Sequence, residues 1–215
     1  MLVERVGLAA AALDVQTGGG EVFAAVLRQA ERLPEHLAAT ESWPPNVAIA
    51  ARNLGPFGVS VVETADGAPL PLADQVFDLV VSRHPVVTLW PEIARVLTPG
   101  GSYLSQQVGA GSNRELIDFM MGPQTPGAAR DPKRVVAGAE AAGLVVVDLR
   151  QESLRTVFND VGAVVYFLRK VLWTVPGFTV EKYRHRLLAL HQRIEREGPF
   201  VAHSERFVIE ARKPG

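Results

Sequence analysis

The strongest constraint on this chain of 215 residues is a rhythm. Over its first two-thirds, short apolar runs alternate with stretches whose apolar residues recur at three- and four-residue spacing. Such alternation marks a parallel sheet built from βαβ units, because a strand that returns parallel to its neighbour needs a crossover, and a helix supplies it. The pattern predicts strands over Leu8–Val15, His36–Thr40, Val59–Glu63, Val76–Ser82, Ser102–Val108 and Leu144–Leu149. Helices are predicted over Glu21–Leu33, Asn46–Leu54 and Pro91–Leu97. A longer helical stretch from Asn113 to Ala142 is interrupted by "GPQTPGAARDP", whose Pro and Gly residues cannot continue it. The turn "TPGG" stops one helix and opens the next strand.

After Leu149 the rhythm changes. "NDVGAVVYFLRKVLW" and "TVEKYRHRLLALHQRIERE" both read as helices, separated by the Pro-Gly turn in "TVPGF". "RFVIEAR" then alternates apolar and polar residues, as a strand at or near a sheet edge does. With no internal repeat and no low-complexity linker, the expected organisation is one domain. A core occupies residues 1–149, a helical insertion 150–203, and a last strand and tail 204–215. The insertion is expected to lie over the C-terminal ends of the strands, where Trp173, Phe178, Tyr183 and Phe200 are candidates for an acceptor pocket or for core.

Composition matters here for what it excludes. Cysteine is absent, which removes disulfides, thiolate metal sites and cysteine nucleophiles. The five histidines stand at no metal-ligand spacing. No run approaches the ~20 apolar residues of a membrane span and no charged-then-apolar leader is seen, so a cytoplasmic protein without a membrane role is expected. Residues 1–149 carry 10 basic and 16 acidic side chains, and residues 150–215 carry 12 and 7. The basic tail alternates with acids along predicted helices, so it reads as a solvated face rather than a nucleic-acid track.

The residues that carry chemistry begin at "ALDVQTGGGEV". A glycine-rich turn between a first strand and a helix lets a ligand lie against the backbone, with helix N–H groups facing it. The dinucleotide pattern G-x-G-x-x-G fails, because its last place falls on Phe23, and no Gly-Lys-Ser/Thr follows to make a P-loop. What fits is acid-x-(Gly)-x-Gly-x-Gly, with Asp14, Gln16, Gly18 and Gly20 at its places and Thr17 inside the turn. Glu41 ends the second apolar run, where a carboxylate can accept hydrogen bonds from both hydroxyls of a ribose. Asp66-Gly67 follows the third run, at a distance suited to an adenine amino group. "FDLVVSRH" supplies a fourth strand that ends in Ser82, Arg83 and His84.

Taken together, "LDVQTGGGE", "ATESWPPNVAIA", "ADGAPLPLADQVFDLVVSRH" and "IARVLTPGGSYLSQQVG" resemble a class I S-adenosylmethionine-dependent methyltransferase from about Leu13 to Val108. The resemblance continues weakly through "GAVVYFLRKVLWTVPGF" and "SERFVIEARK", as in bacterial members of the family. It implies an α/β, Rossmann-like, doubly wound seven-stranded sheet with an antiparallel last strand. It implies S-adenosylmethionine as cofactor, with Gly18 and Gly20 beside its methionine part, Glu41 at the ribose and Asp66 at the adenine. Trp43 or Ser42 would lie along the adenine face.

Two departures stand out. Gln16 replaces the family's first glycine: it contacts the cofactor, crowds it, or points away. Only about a dozen residues precede Asp14, so the cofactor is expected to be open on that side unless the C-terminal helices or a second subunit of a homodimer cover it. "SRHP" after the fourth strand is not the Asn-Pro-Pro-Tyr type that acts on exocyclic amines, and the missing cysteine excludes the covalent route to C5 of pyrimidines. The expected reaction is methyl transfer to a small molecule, with His84 the candidate base and Arg83 paired with an acid or holding an anionic acceptor. Cofactor binding without catalysis, and transfer to nucleic acid or protein, are the alternatives.

Overall fold

The computed structural model describes residues 1–125, 127 and 130–215, so the middle of "GPQTPGAARDP" lies outside the described residues. In chain order the elements are α1 (Leu2–Leu8), β1 (Ala11–Val15), α2 (Glu21–Gln29), β2 (His36–Glu41), α3 (Pro44–Leu54), β3 (Ser60–Glu63), β4 (Phe77–Arg83) and α4 (Trp90–Val96). There follow β5 (Leu97–Val108), α5 (Arg114–Met121), α6 (Pro132–Ala141), β6 (Val145–Phe158), α7 (Val161–Lys170), α8 (Arg184–Glu197) and β7 (Phe200–Arg212). Among these residues no helix is long and apolar enough to cross a membrane.

The strands form one seven-stranded sheet in the order β3-β2-β1-β4-β5-β7-β6. The first five pair in parallel, with Leu13 of β1 opposite Ala38 of β2 on one side and Val80 of β4 on the other. The last strand is antiparallel, as expected. The Gly100 N–H donates to the Lys213 carbonyl at 3.0 Å and the Lys213 N–H to the Gly101 carbonyl at 2.9 Å. The strand order reverses between β1 and β4. In open α/β sheets that switch point leaves a crevice outside the carboxyl ends of the strands, because the crossovers leave it on opposite faces.

The chain divides into two compact units, Met1–Gln107 with Lys133–Arg150 and Phe207–Gly215, and Val108–Pro132 with Gln151–Arg206. The first is built on β1, whose five residues are all buried. Ala11, Leu13 and Val15 join Trp90, Ile93 and Val96 in one cluster, while Ala12, facing the other way, joins Phe23, Leu27 and Leu54 in another. A strand buried on both faces is mostly apolar, and the runs Ala11–Leu13 and Leu79–Val81 make β1 and β4 legible. The second unit has its own core, with Leu116 and Met120 of α5, Leu168 of α7, Leu190 and Ile194 of α8, and Phe200. Three of the four candidate pocket aromatics belong to that packing. Phe200 meets Phe119 edge-on at 5.8 Å and Phe178 stacks on Tyr183 at 5.7 Å. Trp173 is exposed, with the Arg130 guanidinium 5.6 Å over its ring.

Several boundaries differ from the sequence reading. Leu8 ends a helix, and β1 starts only at Ala11, where the Asp78 carboxylate accepts the Ala10 and Ala11 N–H groups at 2.9 Å each. Pro34 biases Leu33 away from helix, and α2 stops at Gln29. The 150–203 segment is not wholly helical, because β6 runs on to Phe158 and β7 begins at Phe200. The missed stretch, "QESLRT", is largely exposed and carries no apolar alternation to announce a strand.

Arg95 fixes the loop that follows β3. Its guanidinium donates to the Leu70 and Leu72 carbonyls at 2.9 and 2.7 Å and pairs with Glu92 and Asp74, while Glu92 accepts the Leu70 N–H. Replacing it strands several partly buried acceptors. Arg95→Ala is expected to lower stability in urea by about 1.5–3 kcal/mol, and Arg95→Lys to recover only part, since an ammonium cannot reproduce the planar fork.

Candidate functional site

The crevice at the switch point is walled by the turn after β1, the turn after β2 and the loop after β4. The first turn owes its shape to left-handed backbone at Gln16, Gly18 and Gly20, with φ of 58°, 64° and 77°. For Gly18 and Gly20 such a conformation comes without a Cβ penalty; Gln16 bears it with a full side chain. At Gly20 a Cβ would also stand 2.8 Å from Leu54 Cγ. The Thr17 N–H donates to the Thr40 carbonyl at 2.9 Å, seating the turn on β2.

Glu41 joins two of the walls. Its Oε2 accepts the Gly18 N–H at 2.7 Å and its Oε1 the Trp43 N–H at 3.0 Å, and the residue is buried. Each carboxylate oxygen retains a further lone pair for hydroxyl donors. Asp14, also buried, accepts the Thr17 hydroxyl at 2.6 Å. Burial pushes its pKa up to about 7; the Thr17 hydrogen bond opposes that rise and the neighbouring Glu41 charge adds to it.

Two cavities open along the crevice. The first, about 460 Å³, is lined by Asp14, Gln16–Gly19 and Glu21–Phe23, by Val81–Arg83, by Leu104–Gln106, and by Met1, Leu2 and Val208. Helix α1 therefore contributes to its wall, which the sequence reading, with its strand beginning at Leu8, did not anticipate. The second accepts solvent over about 20 Å³, room for a water or two. Glu41, Ser42, Asp66 and Gly67 line one side of it, and Pro85 and Val87–Leu89 another. Gln16 and Ser82 line both.

The remaining candidates fall out as follows. Ser82 is buried, and its hydroxyl meets Tyr103 Oη at 2.7 Å and Ser105 Oγ at 2.9 Å. Burial raises the Tyr103 pKa and keeps the phenol protonated. Tyr103 and Ser105 were not singled out in the sequence, although both sit at alternate positions of β5 pointing the same way as each other. Arg83 does not pair with an acid among the described residues; its Nε donates to the Gln106 side-chain oxygen at 3.2 Å. His84 has left-handed backbone, φ 55°, and its N–H donates to the Gln106 carbonyl at 2.7 Å. It lines neither cavity, and nor does Trp43, which is 59% exposed.

The Gln16 side chain joins two walls of the crevice. Its Nε2 donates to the Val87 carbonyl at 2.6 Å and its Oε1 accepts the Val86 N–H at 2.7 Å. One primary amide thus pairs with two successive backbone groups of the loop after β4. Two such bonds contribute about 1–3 kcal/mol, comparable to the roughly 1–2 kcal/mol that left-handed backbone costs a residue with a Cβ.

No curated protein matches the sequence. Residues 13–105 match the family model of a methyltransferase domain. Among solved structures, the whole chain aligns with 97% of a Bacillus halodurans protein assigned as a methyltransferase, at 19% identity and a TM-score of 0.70. It also aligns over its whole length with 52% of a Haemonchus contortus phosphoethanolamine N-methyltransferase, seen with phosphomonomethylethanolamine and S-adenosylhomocysteine, at 17% identity and a TM-score of 0.58. A [4+2]-cyclase, SpnF, shares the fold as well: 99% of this chain covers 79% of it, at 21% identity and a TM-score of 0.58. The sheet order, the antiparallel last strand and the glycine turn at the switch point are those of the class I methyltransferase fold, and residues 13–105 are similar to a methyltransferase domain.

Proposed function

We propose that the crevice binds S-adenosylmethionine and directs its methyl group to a small-molecule acceptor. The observation that carries this reading is the charge of the walls. Glu21 lines the first cavity and Glu41 and Asp66 the second, joined near neutrality by Asp14, against the Arg83 guanidinium and the end of the chain at Met1. An acidic, partly enclosed crevice concentrates cations and repels polyanions. A sulfonium with an α-ammonium group suits it, and a nucleic-acid backbone, which needs a basic track, does not.

The residues present fit such a group. Gly18 leaves nothing within 4 Å of where a Cβ would stand. The spare lone pairs of Glu41 suit ribose hydroxyls, and Asp66 stands exposed at the second cavity for an exocyclic amine. The bound cofactor supplies a methyl on an electron-poor sulfur, open to in-line attack. The chain's part is to hold donor and acceptor in line and keep water out, which apolar Leu2, Val22, Phe23, Val81, Leu104 and Val208 help to do. No base enters this account, since His84 stands outside both cavities.

A second reading, cofactor binding without methyl transfer, is favoured by Gln16, which bridges the crevice where the family's pattern has glycine. Turnover of labelled S-adenosylmethionine against a panel of small acceptors separates the two. Methylated product supports the proposal. Tight binding with no product on any acceptor supports the second reading.

Glu41→Ala is expected to weaken S-adenosylhomocysteine binding by about 1.5–3 kcal/mol in calorimetric titration, with Glu41→Gln intermediate. Thermal unfolding of both variants monitors the loss of the bonds to Gly18 and Trp43. Unchanged affinity in both would count against the cofactor assignment.

Asp14 makes binding depend on pH. Its carboxyl, at about 7, is largely protonated at pH 6, and a nearby cation favours the charged form. Binding of S-adenosylhomocysteine, which keeps the α-ammonium, should therefore release protons and tighten from pH 6 to 8. Titrations in buffers of different ionisation enthalpy read the proton release, and Asp14→Asn should abolish it. Folding shows the opposite sign. A carboxyl raised from 3.8 to about 7 holds its proton longer in the folded state, so stability falls as pH rises between those values and levels off above.

A further inference from the structure

We propose that Gln16 is a positioning residue that bars the crevice, holding the second cavity shut until a ligand displaces it. The inference rests on the reading of the crevice as the cofactor site. Of the two residues that line both cavities, Ser82 is fixed, buried in β4 and bonded to Tyr103 and Ser105. Gln16 is the other, and its side chain crosses to the opposite wall.

That wall is the loop after β4. Pro85, Val87, Thr88 and Leu89 form one side of the second cavity, and the Gln16 amide grips the backbone between them at Val86 N–H and Val87 C=O. With solvent room of about 20 Å³, the cavity as it stands admits neither a purine nor a ribose. Admitting a nucleoside therefore requires the loop to move away, and the Gln16 amide is the side chain that ties it to the glycine turn. The tie is suited to release. Val86 is 78% exposed, so water competes for both bonds. At the near end of the bridge, Gln16 holds left-handed backbone without being glycine. A bar of this kind lowers apparent affinity by the fraction of time it is open.

The consequence is kinetic. The bar is broken in any complex that fills the second cavity, so removing it speeds association and leaves dissociation alone. Gln16→Gly removes the side chain. Gln16→Asn keeps an amide and tolerates left-handed backbone, but is one methylene too short to span. Stopped-flow binding of S-adenosylhomocysteine, followed by protein fluorescence, should show association faster in both variants by on the order of tenfold, with dissociation unchanged. Amide hydrogen exchange in the ligand-free protein should show residues 86–89 less protected in both.

An unchanged association rate, or faster dissociation in the variants, would overturn the bar, the second result meaning that Gln16 holds the ligand instead. Unchanged protection at residues 86–89 would also overturn it. Failure of S-adenosylhomocysteine to bind wild type and both variants would overturn the cofactor reading itself.

Discussion

One carboxylate holds the candidate site in shape. Glu41 sits at the last position of β2 and accepts N–H groups from the turn after β1 and from its own turn, so two loops that share no covalent neighbour move as one. A parallel sheet brings the ends of β1 and β2 side by side, but it leaves their following turns without ladder partners. A buried acid with two acceptor oxygens is a compact solution, because charge-assisted bonds to N–H groups are stronger than neutral ones. The cost is a second carboxylate close by. Asp14 keeps its proton up to about neutrality, chiefly because it is buried and only secondarily because Glu41 is near.

How much of this could be read in advance depended on how each residue is held. Strands buried on both faces carry apolar runs, and β1, β2 and β4 were legible within three residues at their starts and one at their ends. Glycines in left-handed turns announce themselves by type, as Gly18 and Gly20 did. Exposed strands do not, and the polar second half of β6 was missed for that reason. Contacts set by tertiary placement were illegible too. Nothing local to Gln16 says that residues 70 positions later will face its amide, and the Arg95 ties to Leu70 and Leu72 are of the same kind. The aromatic load of the second unit pointed to a pocket, yet Phe178, Tyr183 and Phe200 are largely occupied with one another and with Phe119.

The fold by itself leaves the chemistry open. A [4+2]-cyclase and an N-methyltransferase align with this chain at the same TM-score of 0.58, so the architecture is shared by enzymes of different chemistry. What discriminates lies in the walls of the crevice, in their charge and in the side chains that cross it.

The three hydroxyls of Tyr103, Ser82 and Ser105 form a row under the crevice, with Tyr103 facing the second cavity, Ser105 the first and Ser82 both. Every member can give one proton and take another, so the row has two orientations that differ only in which way the O–H bonds point. Flipping the row moves no heavy atom and needs no change of net charge, since the buried phenol stays protonated. The floor of the crevice is thus polar without a fixed polarity. At its Tyr103 end the row also meets Thr88 and Gln107, which ties the floor to the loop after β4.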